Sequence, residues 1–118
     1  MKRITVLMRK APYGSVYSAE GYRAIMGLGV FEMDVHVAFA DDGVYALVKG
    51  QNPESLEMKP LGPGFAMLPE FEVDQFFVHA GSLRERGLTE EDLVVDVEVL
   101  DDEDFAELIE SSQTVLPF

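Results

Sequence analysis

Cysteine is absent from all 118 residues. Without a thiol the chain forms no disulfide, offers no thiolate to a metal and carries no persulfide of its own, because the nucleophile in sulfur relay is a thiolate. Positive charge is scarce: nine Lys and Arg stand against 22 Asp and Glu, a formal net charge of −13 at pH 7. A phosphate backbone attracts cations and is repelled by such a surface, so no direct contact with nucleic acid is expected. The acidity either serves solubility or is matched by a basic partner, and charge alone leaves both readings open. Long apolar runs are missing too. Although 47% of the residues are hydrophobic, no stretch is long enough to span a bilayer, and no membrane association is expected. The opening residues, Met1 to Met8, lack the length and the small-residue cleavage site of a signal peptide. They read as the first strand of a cytoplasmic protein.

What is present fits one domain over residues 1–118, long enough for a single core. Ile4 to Met8 is a β-branched strand. A Pro- and Gly-punctuated loop follows, then a helix for which Ser15 or Ser18 is the expected cap. Tyr22, Ile25, Met26 and Gly29 recur at helical spacing and mark its buried face. Gly21, Gly27 and Gly29 each lower helix propensity by about 1 kcal/mol, which points to close packing on the sheet or a neighbouring chain. Asp34 to Ala40 is a second strand, and Asp41-Asp42-Gly43 opens a short helix stopped by Gly50. Gln51 to Gly64 reads mostly as loop, with a turn of helix near Pro53 to Leu56, and Phe65 to Leu68 as a short helix. Val95, Val97 and Val99 alternate with Asp96 and Glu98, predicting a half-exposed strand from Leu93 to Leu100 near a sheet edge. Asp101 to Asp104 put negative charge on the first turn of a last helix, with Phe105, Leu108 and Ile109 inward. Thr114 to Phe118 is a final strand, tucked into the sheet or an interface. Alternating strands and helices predict an α/β fold, a mostly parallel open sheet of about five strands.

The chain is organised around Asp74 to Gly87. Phe76, Phe77 and Val78 are the continuous apolar run of a strand covered on both faces; Ala80 to Arg86 turn helical, and Gly87 ends the helix. His79 stands at the junction, the carboxyl end of a strand, where ligands gather in open α/β sheets. The run Val78-His79-Ala80-Gly81-Ser82-Leu83-Arg84-Glu85-Arg86-Gly87-Leu88 resembles the DsrE/DsrF-like proteins of sulfur transfer. Ala11-Pro12-Tyr13-Gly14-Ser15, Lys49-Gly50-Gln51-Asn52-Pro53-Glu54 and Arg86 to Val94 are similar to its TusC/DsrF branch, so the resemblance spans nearly the whole chain. It implies the family's open sheet with helices on both faces. It also implies that His79 holds the strand-end position at which the catalytic members carry cysteine. Imidazole shuttles protons and binds metals, but it does not accept sulfane sulfur as a stable persulfide. His79 is therefore either a histidine held by a hydrogen bond at a strand end or the occupant of a vestigial sulfur pocket.

Other chemistries find less support. Ser82, one turn beyond His79, lacks the second glycine of the G-x-S-x-G elbow. His36 and His79 are the only imidazoles, far apart in sequence. Asp41 and Asp42 give no ligand-spaced pair with them, so neither a metal nor another cofactor is expected. Gly14-Ser15 before a helix could hold an anion, yet no Walker lysine follows. Tyr13, Tyr17, Met58, Leu61 and Phe65 lie in or beside loops, where aromatics and Met favour interfaces. Tyr13, Gly14, Ser15, Gln51, Asn52 and Ser82 are accordingly the candidate pocket or interface residues beside His79.

The resemblance implies a non-catalytic subunit of a sulfur-relay complex of the TusBCD/DsrEFH kind. Its partners would be a cysteine-bearing DsrE/TusD-like protein and a small DsrH/TusB-like one in a hetero-oligomer, with a homo-oligomer when isolated. The sulfur would go to the 2-thio group of tRNA wobble uridine or into sulfur oxidation. The rival is a homo-oligomeric module binding a small anion at the Gly14 and His79 strand ends; an enzyme with His79 as general base is the third reading. Incubated alone with a persulfide donor, the intact chain should keep its unmodified mass; a stable gain of one sulfur atom by mass spectrometry would contradict the thiol argument.

Overall fold

The apolar, β-branched runs become five parallel strands: β1 (Arg3–Met8), β2 (Asp34–Phe39), β3 (Gln75–His79), β4 (Glu98–Leu100) and β5 (Thr114–Pro117). They lie in the order β4-β3-β2-β1-β5 in a computed structural model that describes residues 3–11, 17–30, 33–49, 62–71 and 73–118. The helices are α1 (Tyr17–Val30), α2 (Gly62–Met67), α3 (Ala80–Glu85) and α4 (Asp102–Glu110), with a 3-10 segment over Asp41–Leu47.

The order of the strands decides where the helices go. Each of the first three connections moves one strand outward, and right-handed crossovers then place all of them on one face. There Val6, Met8, Val37, Phe39, Phe76 and Val78 meet Ile25 of α1, Phe65 of α2 and Leu83 of α3. The last connection runs back from one edge to the other and lays α4 on the opposite face. Leu108 packs with Ala38 and Phe77 there, and Leu7, Leu100 and Phe105 pack around them. The expected sheet with helices on both faces is what forms, and Phe76, Phe77 and Val78 are buried as a two-sided strand requires.

Several local expectations change. Ser18 lies inside the first turn of α1, where its hydroxyl donates to the carbonyls of Lys10 and Ala11 at 3.2 and 3.1 Å. It therefore satisfies the loop after β1 instead of capping the helix. Gly62 and Gly64, expected in loop, belong to α2. The strand expected over Leu93 to Leu100 shrinks to β4. Its first half is tied elsewhere: Lys49 N–H donates to Asp92 O and Val94 N–H to Leu47 O, both at 2.8 Å, around an antiparallel bridge between Val48 and Leu93. Of the helical glycines, Gly21 and Gly29 lie against Met8 and Val73 of the sheet side, while Gly27 has open space. Gly87 ends α3 at φ 67° as expected. The caps foreseen by Ser15 and the stop at Gly50 lie outside the described residues, as do the turn near Pro53 to Leu56 and Met58 and Leu61.

On the α4 face His36 stacks flat on Phe77, ring centroids 5.3 Å apart and planes 6° from parallel. Its Nε2 lies 3.2 Å from Asp34, and its buried Nδ1 has no hydrogen-bond partner among the described residues. Burial lowers its pKa; Asp34 opposes that shift and Arg3 adds to it. The folded ring thus binds a proton less readily than the unfolded one, so the unfolded chain holds more protons in that window and stability rises with pH. The contribution of neutral His36 is complete above the ordinary value of about 6.5 and is lost as pH falls below it. Melting temperature should drop between about pH 7.5 and about pH 5.5, and the drop should be smaller in His36→Phe; an identical pH profile in the two proteins would refute this.

Candidate functional site

β1, β2 and β3 all end at the same edge of the sheet, and the residues just beyond them converge. After β2 the chain turns at Asp41, a non-glycine residue held at φ 52°. That left-handed conformation is unfavourable for a side chain, and Asp tolerates it better than most residues. It aims the Asp41 N–H at the Ser82 hydroxyl, which accepts it at 2.8 Å. Gly43 follows because a Cβ there would overlap the Met8 carbonyl.

At the end of β3, His79 caps α3. The ring, not a serine or aspartate, plays the capping part: Nδ1 accepts the Ser82 N–H at 3.2 Å. With Nδ1 an acceptor, the Ser82 O–H points at the same nitrogen at 2.8 Å, and Nε2–H donates to Asp102 at 2.5 Å. Phe105 covers the ring edge-on at 5.4 Å. Asp102 is the first residue of α4, whose cap is Asp101 accepting the Asp104 N–H at 2.8 Å. Arg86 completes the cluster: one nitrogen donates to Ser82 O at 3.1 Å, two others to Asp42 at 3.0 and 3.2 Å.

Asp102, His79 and Ser82 thus fall in a line that superficially matches a Ser–His–Asp set. The chemistry does not follow from the line. Ser82 is 2% exposed, and its oxygen already accepts from Asp41. The α3 amide that could face an oxyanion is turned onto His79, and both imidazole nitrogens have partners inside the fold. A nucleophile needs access and a free base. The arrangement instead ties the ends of β2 and β3 to the start of α4.

His36 and His79 do not come together: His36 stands opposite Gln75 at the other end of β3. No group of three or more His, Asp or Glu among the described residues could hold a metal ion. Tyr13, Gly14, Ser15, Gln51 and Asn52 lie outside the described residues. A crevice of about 380 Å³ opens where β1 leaves the sheet beside β5, lined by Arg9, Lys10, Tyr17, Asp41 and Phe118. It sits at the point where the strand order reverses, the usual ligand position of such sheets. Its cations are partly engaged: Arg9 pairs with Asp41 at 3.0 Å, and the Lys10 ammonium lies 5.8 Å above the Tyr17 ring. Sequence reasoning missed Asp102 and Arg86. Asp102 is 23 positions from His79 and looked like one more acid in a helix-starting run, so nothing local marks it.

The sequence profile of the DsrE/DsrF-like family matches residues 2–118. The chain belongs to that family. Within the DsrE/DsrF-like family it is 36% identical to the intracellular sulfur oxidation protein DsrF of Allochromatium vinosum, covering 100% of this chain and 97% of that protein. It is 37% identical to the TusC homolog of Pseudomonas aeruginosa, over 96% of this chain and 95% of the other. The TusC homolog of Vibrio parahaemolyticus is 35% identical with both chains fully covered. These place it in the TusC/DsrF branch. The crystal structure of the ychN protein from E. coli superposes with a TM-score of 0.85 at 25% identity, each chain covered completely.

If the cluster is a structural cross-link, its buried member matters most. Ser82→Ala leaves the Asp41 N–H without its acceptor and should lower unfolding free energy by about 1–3 kcal/mol. Asp102→Ala, on a side chain that is 91% exposed, should lower it by less than about 1 kcal/mol. Equal losses in chemical denaturation would contradict that division.

Proposed function

We propose that this chain is a non-catalytic subunit of a sulfur-relay complex, working through protein partners and not through a reaction of its own. One observation carries the reading: the strand-end position that the family resemblance assigns to the sulfur-accepting cysteine is His79, in a chain with no cysteine anywhere. Its ring is fully engaged within the fold. The family membership and the full-length similarity to DsrF and TusC homologues support the relay setting. On this reading residues 1–118 are one DsrE/DsrF-like domain. It assembles with a cysteine-bearing DsrE/TusD-like subunit and a DsrH/TusB-like subunit, and shapes the partner's surface. The sulfur passes to tRNA 2-thiouridine synthesis or into sulfur oxidation. His79 and Ser82 line the vestigial pocket, with Tyr13, Gly14, Ser15, Gln51 and Asn52 as its remaining pocket or interface positions. The complex is cytoplasmic and neither membrane-bound nor in direct contact with nucleic acid; no helix among the described residues is long and apolar enough to cross a membrane.

A second reading draws on the crevice beside β1 and β5, with Arg9 and Lys10 in its wall. It makes the protein a homo-oligomeric module for a small anion. Asp41 and Asp42 line the same crevice and offset those cations, which favours the relay subunit.

Co-expression with a cysteine-bearing DsrE-like protein and a DsrH-like protein, followed by native mass spectrometry, tests the assignment. A mixed assembly should form, and it should persist with His79→Ala. A homo-oligomer that ignores a cysteine-bearing DsrE-like partner would overturn the proposal.

A further inference from the structure

The amino ends of β3 and β4 carry a groove of about 720 Å³, toward the end of β3 opposite His79. Its floor is apolar, built from Phe76, Leu93, Val94 and Val95, with Ala66 and Pro69 along one wall. Its rim is acidic: among the described residues, Asp74, Glu90, Glu91 and Asp96 stand against one ammonium, Lys49, four negative charges to one positive. None of those four carboxylates is in an ion pair among the described residues.

We infer that this groove is a docking site for a basic, apolar-tipped segment of a partner protein. The volume is that of a cleft able to seat several side chains. Unpaired carboxylates around a low-dielectric floor focus a negative potential into it, which draws cations and steers a basic partner during encounter. The floor adds the apolar anchor that a purely electrostatic surface lacks, and such anchors carry most of the energy of an interface. The same charge argues against other occupants. A second copy of the chain brings another −13 to the contact, and nucleic acids and anionic lipid surfaces are repelled. A bound metal is not favoured either, since no three of these acids are gathered closely enough to hold one. The inference concerns the end of the sheet remote from His79, and it stands whether or not the partner belongs to a sulfur relay.

The test titrates the full-length protein with labelled short peptides, one alternating Lys with Leu, one Lys with Ser and one Glu with Leu. The Lys–Leu probe should bind best and weaken in about 0.5 M salt. Glu90→Gln/Glu91→Gln/Asp96→Asn should weaken it about tenfold or more. Glu103→Gln/Asp104→Asn/Glu107→Gln, which makes the same charge change on α4, should alter it less than about twofold. Ala66→Trp, filling the groove at constant charge, should weaken the Lys–Leu probe more than the Lys–Ser probe. Melting temperatures near wild type would show that each variant is folded. Equal effects of the two triple variants would mean general electrostatic attraction and overturn the proposal, as would no effect of Ala66→Trp. Self-association abolished by the groove triple would reassign the groove to a second copy and likewise overturn it.

Discussion

A buried serine hydroxyl must find hydrogen bonds within the protein or forfeit those it had with water. Ser82 finds two, accepting from Asp41 at the end of β2 and meeting Nδ1 of His79 at the end of β3. The positive φ of Asp41 is held in place by this contact and by the Arg9 pair. The imidazole is held by Ser82 on one side and Asp102 on the other, with Phe105 over its edge and Gly81 close to Cε1. Removing the hydroxyl therefore loosens β2, β3 and the start of α4 together. At this position a ring reaches both neighbours at once, whereas a thiol would reach only one and leave the other free. On the proposed reading, the residue that stands in place of the family's cysteine also closes the edge.

Much of the architecture was legible because period and burial agreed. The apolar runs of β1, β2 and β3 have no other comfortable home than a covered parallel sheet, and Gly87 could only end α3. β4 was overread. The alternation through Val95, Val97 and Val99 is genuine, but backbone bonds from Lys49 and Val94 hold its first half against the 3-10 segment. Alternation reports which side chains are covered, not which strand supplies the partner. The reversal at β5, which puts α4 on the second face, also has no local signature and arises only when the edge opposite β4 is open to Thr114–Pro117.

The site was half legible. His79 at a strand end and Ser82 one turn on were visible as neighbours. That Ser82 points inward, that Asp102 closes the other nitrogen, and that Arg86 reaches Asp42 depend on contacts across 23 to 44 positions. The acidic run from Asp101 to Asp104 was correctly read as favourable at a helix start. Nothing in that reading separates the one acid that holds a histidine from the three that do not.

The two ends of the sheet now divide chemically. At the carboxyl end, where open α/β proteins usually act on ligands, Asp41, Ser82, His79 and Asp102 bond to one another and the serine is sealed from solvent. At the amino end, carboxylates stand unpaired around an apolar floor. An arrangement whose polar groups are mutually satisfied has little to offer a small substrate, whereas unpaired like charges raise the energy of the free protein until a counter-charge arrives. The excess of acid over base is then more than a solubility device, because part of it is concentrated where binding a basic partner would relieve it. On the proposed reading, a chain with no thiol and such a surface works by being held by other proteins.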